Sequence, residues 1–128
     1  MWADALKKPT KAIFLETPSN PTLEIIDLKA VSKIAHAAGA LVIVDNVFAT
    51  PILQRPLELG ADVVVYSATK HMDGQGRVMA GAILCDEARM TEIYDPWLRH
   101  MGPAASPFNA WVVLKGLETL DLRARRQS

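Results

Sequence analysis

The chain has 128 residues, half of them hydrophobic and 22% charged, which suffices for one domain with a real core but not for two. Fourteen basic residues balance fourteen acidic ones, a formal net charge of zero that argues against a nucleic-acid or anionic-membrane partner. The single cysteine, Cys85, excludes an intrachain disulfide, and no apolar run is long enough to span a membrane. Met1-Trp2-Ala3-Asp4 is not a signal peptide, so the expected compartment is the cytoplasm.

Short apolar runs alternate with amphipathic stretches, which predicts an α/β fold of three layers: a mostly parallel sheet flanked by helices. Ala12 to Leu15 reads as the first strand, ending at Glu16 before the turn-rich Thr17-Pro18-Ser19-Asn20-Pro21. Asp27 is then a fitting N-cap for a helix with Leu28, Val31, Ile34, Ala35 and Ala38 as its buried stripe and Gly39 as its stop. Leu41 to Val44 is a continuous apolar strand, followed by an irregular stretch with Pro51 and Pro56 and a helical turn closing at Gly60. Asp62 to Tyr66 is the next strand and Ala80 to Cys85 another, with Cys85 expected as a small buried hydrophobe. Asp86 caps a helix running towards Arg99, which Gly102-Pro103 breaks. A long final helix is expected from Phe108 to Arg123, with Trp111, Leu114, Leu117 and Leu120 on one face and Arg123, Arg125 and Arg126 at a solvated end.

Three polar sites follow the predicted strands, where open α/β sheets bind their ligands. They are Thr17 to Asn20, Asp45-Asn46, and Ser67-Ala68-Thr69-Lys70. Parallel strands would bring all three to one sheet edge, a set suited to a phosphorylated aromatic cofactor. Two readings remain open for each residue. Asp45 either caps local backbone N–H groups or pairs with a cationic ring nitrogen. Lys70 is either a solvated loop residue or a Schiff-base nucleophile. Ser67 and Thr69 either serve the turn or donate hydroxyls to a phosphate. The segment Asp73-Gly74-Gln75-Gly76-Arg77 has neither the spacing nor the lysine of a P-loop. His36, His71 and His100 lack second ligands at metal spacing, so no metal site is expected.

The runs Glu16-Thr17-Pro18-Ser19-Asn20-Pro21-Thr22, Val44-Asp45-Asn46-Val47-Phe48-Ala49-Thr50-Pro51 and Tyr66-Ser67-Ala68-Thr69-Lys70-His71 carry a resemblance. In order and in separation they resemble the PLP-dependent cystathionine γ-synthase-like (Cys/Met metabolism) family, where PLP is pyridoxal 5′-phosphate. Within it, Lys70 to Arg77, Leu98 to Pro103 and Ser106 to Trp111 are most similar to the O-succinylhomoserine sulfhydrylase branch.

The resemblance implies the large PLP domain of fold-type I enzymes, of which residues 1–128 would be a central part. An N-terminal arm and a C-terminal substrate domain would lie outside them. It further implies that Lys70 holds PLP as a Schiff base and moves protons, and that Asp45 faces the pyridine nitrogen. Ser67 and Thr69 would contact the phosphate, and Asn20 the ring's phenolic oxygen. Val47 stands where many relatives carry threonine, so a hydroxyl beside the ring is missing. The implied reaction is γ-replacement: sulfide displaces succinate or acetate from an O-acylhomoserine to give homocysteine. A homotetramer with shared sites is implied as well. A sister synthase or lyase acting on cystathionine or methionine is a second reading. A third, from another class, is a truncated, non-catalytic interaction protein associating through Trp111 and Leu114.

Overall fold

The computed structural model describes residues 2–128. After a short helix α1 (Trp2–Ala5), β1 (Ala12–Glu16) leads through a loop to α2 (Leu28–Ala37) and β2 (Leu41–Asp45). Helix α3 (Thr50–Leu53) and a 3-10 turn over Pro56–Leu59 connect to β3 (Val63–Ser67), and a long turn leads to β4 (Gly81–Cys85). Helix α4 (Glu87–Arg89) runs through a π-helical stretch over Met90–Tyr94 into α5 (Asp95–Met101). Helices α6 (Pro107–Leu117) and α7 (Leu120–Gln127) close the chain.

The four strands form one sheet in the order β1-β2-β3-β4, the first three parallel and β4 antiparallel to β3. The expected layered α/β architecture with a mixed, mainly parallel sheet is therefore what the chain adopts.

Side-chain alternation divides the strands between two faces. Leu15, Val42, Val44, Val64 and Tyr66 point to the face covered by Leu28, Val31 and Ala35 of α2, and together they make the core. The opposite face carries the register row Phe14–Ile43–Val63 and, one step nearer the strand ends, Glu16–Asp45–Val65. That face is thinly covered: Phe14 is 63% exposed.

Asp27 caps α2 as expected, accepting from the Ala30 N–H at 3.0 Å. Gly39 follows at φ 73°, the left-handed conformation that ends a helix. The buried stripe is Leu28, Val31, Ser32 and Ala35 rather than one that includes Ile34 and Ala38. These two lie at the stripe's edge and stay exposed. Cys85 is half-buried at the end of edge strand β4.

The expected single helix over 108–123 is two helices, parted at Glu118-Thr119. The Gly116 carbonyl is taken by the Thr119 N–H at 3.3 Å and by Arg123 at 2.8 Å, which diverts it from the helical ladder. The buried side is made by Val112, Gly116, Leu120 and Ala124. Of the apolar face expected from the sequence, Leu120 is buried, whereas Trp111 and Leu114 are 55% and 57% exposed. The reason is the closeness of α6 to the turn after β3: a side chain at Gly116 would stand 2.8 Å from the Asp73 backbone.

At the far end of the sheet Asp62 gathers three donors. His36 Nε2 and the Val42 N–H meet Oδ2, both at 2.8 Å, and Arg89 Nη2 meets Oδ1 at 2.8 Å. Burial pushes the Asp62 carboxyl up, but the His36 and Val42 hydrogen bonds and the charges of His36 and Arg89 outweigh it, holding it below the ordinary 3.8. A carboxyl depressed on folding stabilises the fold above that ordinary value and loses its contribution as pH falls through the lowered one. Thermal scans between about pH 5 and pH 3 are expected to fall more steeply for the wild type than for Asp62→Asn, which lacks this proton uptake.

Candidate active site

The carboxyl ends of β1, β2 and β3 lie side by side, as parallel pairing requires. Glu16 and Asp45 are direct Cα partners, and Asp45 is in turn opposite Val65, two residues before Ser67. Period two therefore puts Glu16, Asp45 and Ser67 on the same open face. Of the five residues singled out from sequence, Asp45 and Ser67 are thus joined on one face by register. Lys70 and Thr69 follow in the turn after β3, and Asn20 lies in the loop after β1.

Each of these has a defined setting. Asp45 is half-buried, and its Oδ1 accepts from the Val47 N–H at 3.0 Å. The capping reading is thus realised on one oxygen, while no hydrogen bond reaches the other among the described residues. Ser67 is half-buried, with no side-chain partner among the described residues. Lys70 is exposed, and its ammonium likewise has no partner among them. Thr69 differs. Its hydroxyl accepts from the Ala80 N–H at 2.9 Å and approaches the Ala80 carbonyl at 3.3 Å, so it ties the turn to the start of β4. Asn20 is exposed, with its backbone N–H on Glu16 Oε2 at 2.9 Å. Its loop holds two cis peptides, Thr17–Pro18 and Asn20–Pro21.

One residue further along each strand, alternation turns the chain inward and builds a buried polar layer beneath the open face. Asn46 has no exposed surface. Its Nδ2 lies 3.1 Å from the Thr50 carbonyl, 2.9 Å from the Gln54 carbonyl and 2.9 Å from Tyr66 Oη. Gln54 Nε2 donates to Asn46 Oδ1 at 2.8 Å and to the Thr17 carbonyl at 2.9 Å. Thr17 Oγ1 accepts from the Ile26 N–H at 2.9 Å. Burial pushes the Tyr66 phenol above its ordinary value, against the opposing pull of the Asn46 amide. Thr50 sits at φ 57°, a left-handed conformation that costs a β-branched residue about 1–3 kcal/mol. The network holds it there: its N–H donates to the Asn46 carbonyl at 3.0 Å.

Sequence reasoning missed this layer and one residue far along the chain. The signal for the layer was present, since Thr17 and Asn46 each stand two residues beyond an inward-facing apolar residue, Leu15 and Val44. Arg123, expected at a solvated helix end, is half-buried instead. Its Nη1 donates to the His71 carbonyl at 2.7 Å and its Nη2 to those of Gly116 and Met72 at 2.8 and 3.3 Å. Asp73 is fully buried and receives the Arg77 N–H at 2.6 Å and Arg77 Nε at 2.7 Å. The Arg77 backbone N–H, aided by its guanidinium and the Gln75 N–H and opposed by burial, holds the Asp73 carboxyl below the usual range. The glycine-containing segment after Lys70 is therefore an ion-paired brace and not a phosphate loop.

Among the described residues no three His, Cys, Asp or Glu side chains are grouped to hold a metal. None of the helices there is long and apolar enough to cross a membrane. The open face offers a carboxylate with one uncommitted oxygen and an uncommitted hydroxyl, and the turn that follows β3 adds a primary amine. That donor set fits a phosphorylated pyridine aldehyde: an amine to condense with the aldehyde, a carboxylate for a protonated ring nitrogen, a hydroxyl for a phosphate oxygen.

Comparison with known proteins agrees. The sequence pattern of a family described as Cys/Met metabolism PLP-dependent enzyme matches residues 1–128. An O-succinylhomoserine sulfhydrylase from Mycobacterium tuberculosis is 58% identical over 127 residues, which cover 99% of this chain and 31% of the relative. An L-methionine gamma-lyase from Fusobacterium nucleatum is 46% identical over 125 residues, 96% of this chain and 32% of the relative. The crystal structure of a methionine gamma lyase from Micromonospora echinospora superposes with a TM-score of 0.92 at 40% identity, over 94% of this chain and 34% of that one. The chain spans about a third of the length of the curated relatives it matches. It belongs to the family of PLP-dependent enzymes of Cys/Met metabolism.

Proposed function

We propose that this chain contributes the lysine-bearing half of a PLP site that carries out γ-replacement on an O-acylhomoserine, with O-succinylhomoserine and sulfide giving homocysteine and succinate. The observation that carries this reading over its sisters is the 58% identity to the sulfhydrylase, against 46% to the methionine lyase. PLP, when bound, supplies an electron sink for the substrate carbons next to the amino group.

The chain's own residues do the rest. The Lys70 amine takes up and returns protons at the substrate carbons from its exposed place in the turn. The uncommitted oxygen of Asp45 would pair with the ring nitrogen and keep its proton in place by charge. The Ser67 hydroxyl donates to the phosphate, and Asn20 approaches the ring's phenolic oxygen. The Thr69 hydroxyl accepts from the Ala80 N–H, and it would donate to the phosphate by turning its O–H away from the Ala80 carbonyl.

Residues 1–128 form part of a single PLP-binding domain in this proposal, with an N-terminal arm and a C-terminal substrate domain supplied outside them. A cytoplasmic setting and an assembly of several copies belong to it too.

Substrate choice is tested by supplying the PLP-loaded full-length polypeptide with O-succinylhomoserine, O-acetylhomoserine, cystathionine or methionine, each with and without sulfide. Sulfide-dependent homocysteine from an acylhomoserine is expected, faster from the succinyl ester. Keto acid and ammonia released from cystathionine or methionine without sulfide, and no homocysteine from either acylhomoserine, would instead make it a lyase.

A further inference from the structure

We infer that Arg123 is a positioning residue for Lys70, holding from α7 the backbone turn that presents the lysine. The inference rests on the reading of Lys70 as the cofactor-bearing amine.

The turn after β3 is closed from within by three backbone bonds. The Lys70 N–H donates to the Ser67 carbonyl at 3.1 Å, the Asp73 N–H to Ala68 at 2.9 Å, and the Gly74 N–H to Lys70 at 2.7 Å. These leave the carbonyls of His71 and Met72, the two residues directly after the lysine, without backbone donors among the described residues. Both are met by Arg123, whose Nη1 and Nη2 reach them at 2.7 and 3.3 Å. The other contacts of the same guanidinium are the Gly116 carbonyl at 2.8 Å and the Thr119 hydroxyl at 3.1 Å. Nε, Nη1 and Nη2 are thus all engaged, every partner is a neutral oxygen, and no carboxylate pairs with it among the described residues. Such a set fixes geometry rather than neutralising charge, and it needs the planar fork of arginine.

The surroundings are cut to admit this contact. Gly116 lets the α6 backbone lie against Met72 and Asp73, where a Cβ would stand 2.8 Å from Asp73 Cα. Gly74, at φ 73°, lies where any side chain would run into the guanidinium. The Asp73–Arg77 pair then anchors the far side of the turn. A guanidinium that merely capped α6 would need the Gly116 carbonyl alone. Arg123 instead spends two of its donors on the residues beside Lys70.

The test compares wild type, Arg123→Lys and Arg123→Ala, first without cofactor, by amide hydrogen exchange. Exchange at Asp73 and Gly74 is expected to speed up on the order of tenfold in Arg123→Lys, with the core amides of β2 and β3 unchanged. The second readout is the site of PLP attachment. Lysine and the cofactor aldehyde condense with loss of water, borohydride adds hydride to the C=N bond, and mass spectrometry locates the adduct. The fraction at Lys70 relative to other lysines is expected to fall in both variants. Unchanged exchange at 73 and 74 together with unchanged selectivity would overturn the inference. So would exchange that rises equally in the core, since that is a loss of fold. If Arg123→Ala does not fold, Arg123→Lys alone decides. Indiscriminate labelling of the wild type would sink the reading of Lys70 itself, while the exchange data still judge Arg123.

Discussion

Lys70→Ala is expected to lower turnover of the PLP-loaded full-length protein on the order of a thousandfold or more, the scale on which a positioned proton-transfer group acts. The same change is expected to leave stability within about 0.5 kcal/mol, because the side chain is exposed and unpartnered among the described residues. That pairing makes the experiment decisive. A lysine that served the fold would lower the melting temperature along with activity, and a solvated loop lysine would change neither. Borohydride trapping gives a third view: the adduct found on Lys70 in the wild type should be missing from the variant. Full turnover in Lys70→Ala would end the catalytic assignment, whatever the family membership.

Asn46→Ala should produce the largest loss of stability of any change near the site. The side chain is fully buried and joins Thr50, Gln54 and Tyr66, and through Gln54 it reaches Thr17. Truncation takes the Asn46 partner from the Tyr66 hydroxyl and from the Gln54 amide, which keeps only the Thr17 carbonyl, at about 1–3 kcal/mol for each group left short, and opens a small void. A total of about 3 kcal/mol would lower the melting temperature on the order of 10 °C. It would also strip the Thr50 carbonyl of its Asn46 side-chain donor, while the Thr50 N–H keeps its bond to the backbone carbonyl at position 46. Differential scanning calorimetry checks the first effect. A variant as stable as wild type would mean that water or a shift of Gln54 satisfies the layer. Tyr66→Phe, which removes only the acceptor for Asn46, is expected to cost roughly a third as much, close to a single net hydrogen bond.

The sheet was legible because its signals were local. Leu41 to Val44 and Val63 to Tyr66 are unbroken β-formers, and Asp27, Gly39, Asp86 and Gly102 punctuate helices by their own chemistry. The sheet-edge residues were legible for a related reason: in a parallel sheet, position just past a strand is position at the site. What escaped the sequence depended on contacts across long separations. Arg123 reaches the His71 carbonyl 52 residues away, and no periodicity announces that. The helix over 108–123 was read as one because Trp111, Leu114, Leu117 and Leu120 keep apolar spacing, but the tight approach at Gly116 turns Val112 and Gly116 of α6 inward and leaves Trp111 and Leu114 outside. Thr69 has the right type and place for a phosphate ligand, and its hydroxyl also accepts from the Ala80 N–H at the start of β4, a bond across eleven residues that no local pattern announces. The antiparallel direction of β4 was likewise invisible, since a five-residue apolar strand carries no sign of its orientation.

The alternation that sends Asp45 and Ser67 to one face, and Asn46 and Tyr66 to the other, has a consequence for how variation in this protein is read. Sequence neighbours here belong to different phenotypes. In a saturation library scored for both abundance and growth, positions 46 and 66 should fail by depletion of protein, through proteolysis of the unfolded chain. Positions 45 and 67 should fail with the protein still present at normal level. A sliding-window average over such data would blend the two signals and hide both, whereas sorting by residue parity would separate them. The pleat of the strand thus acts as an index, telling the geneticist which of two adjacent lesions is repairable by a compensating stabiliser elsewhere and which is not.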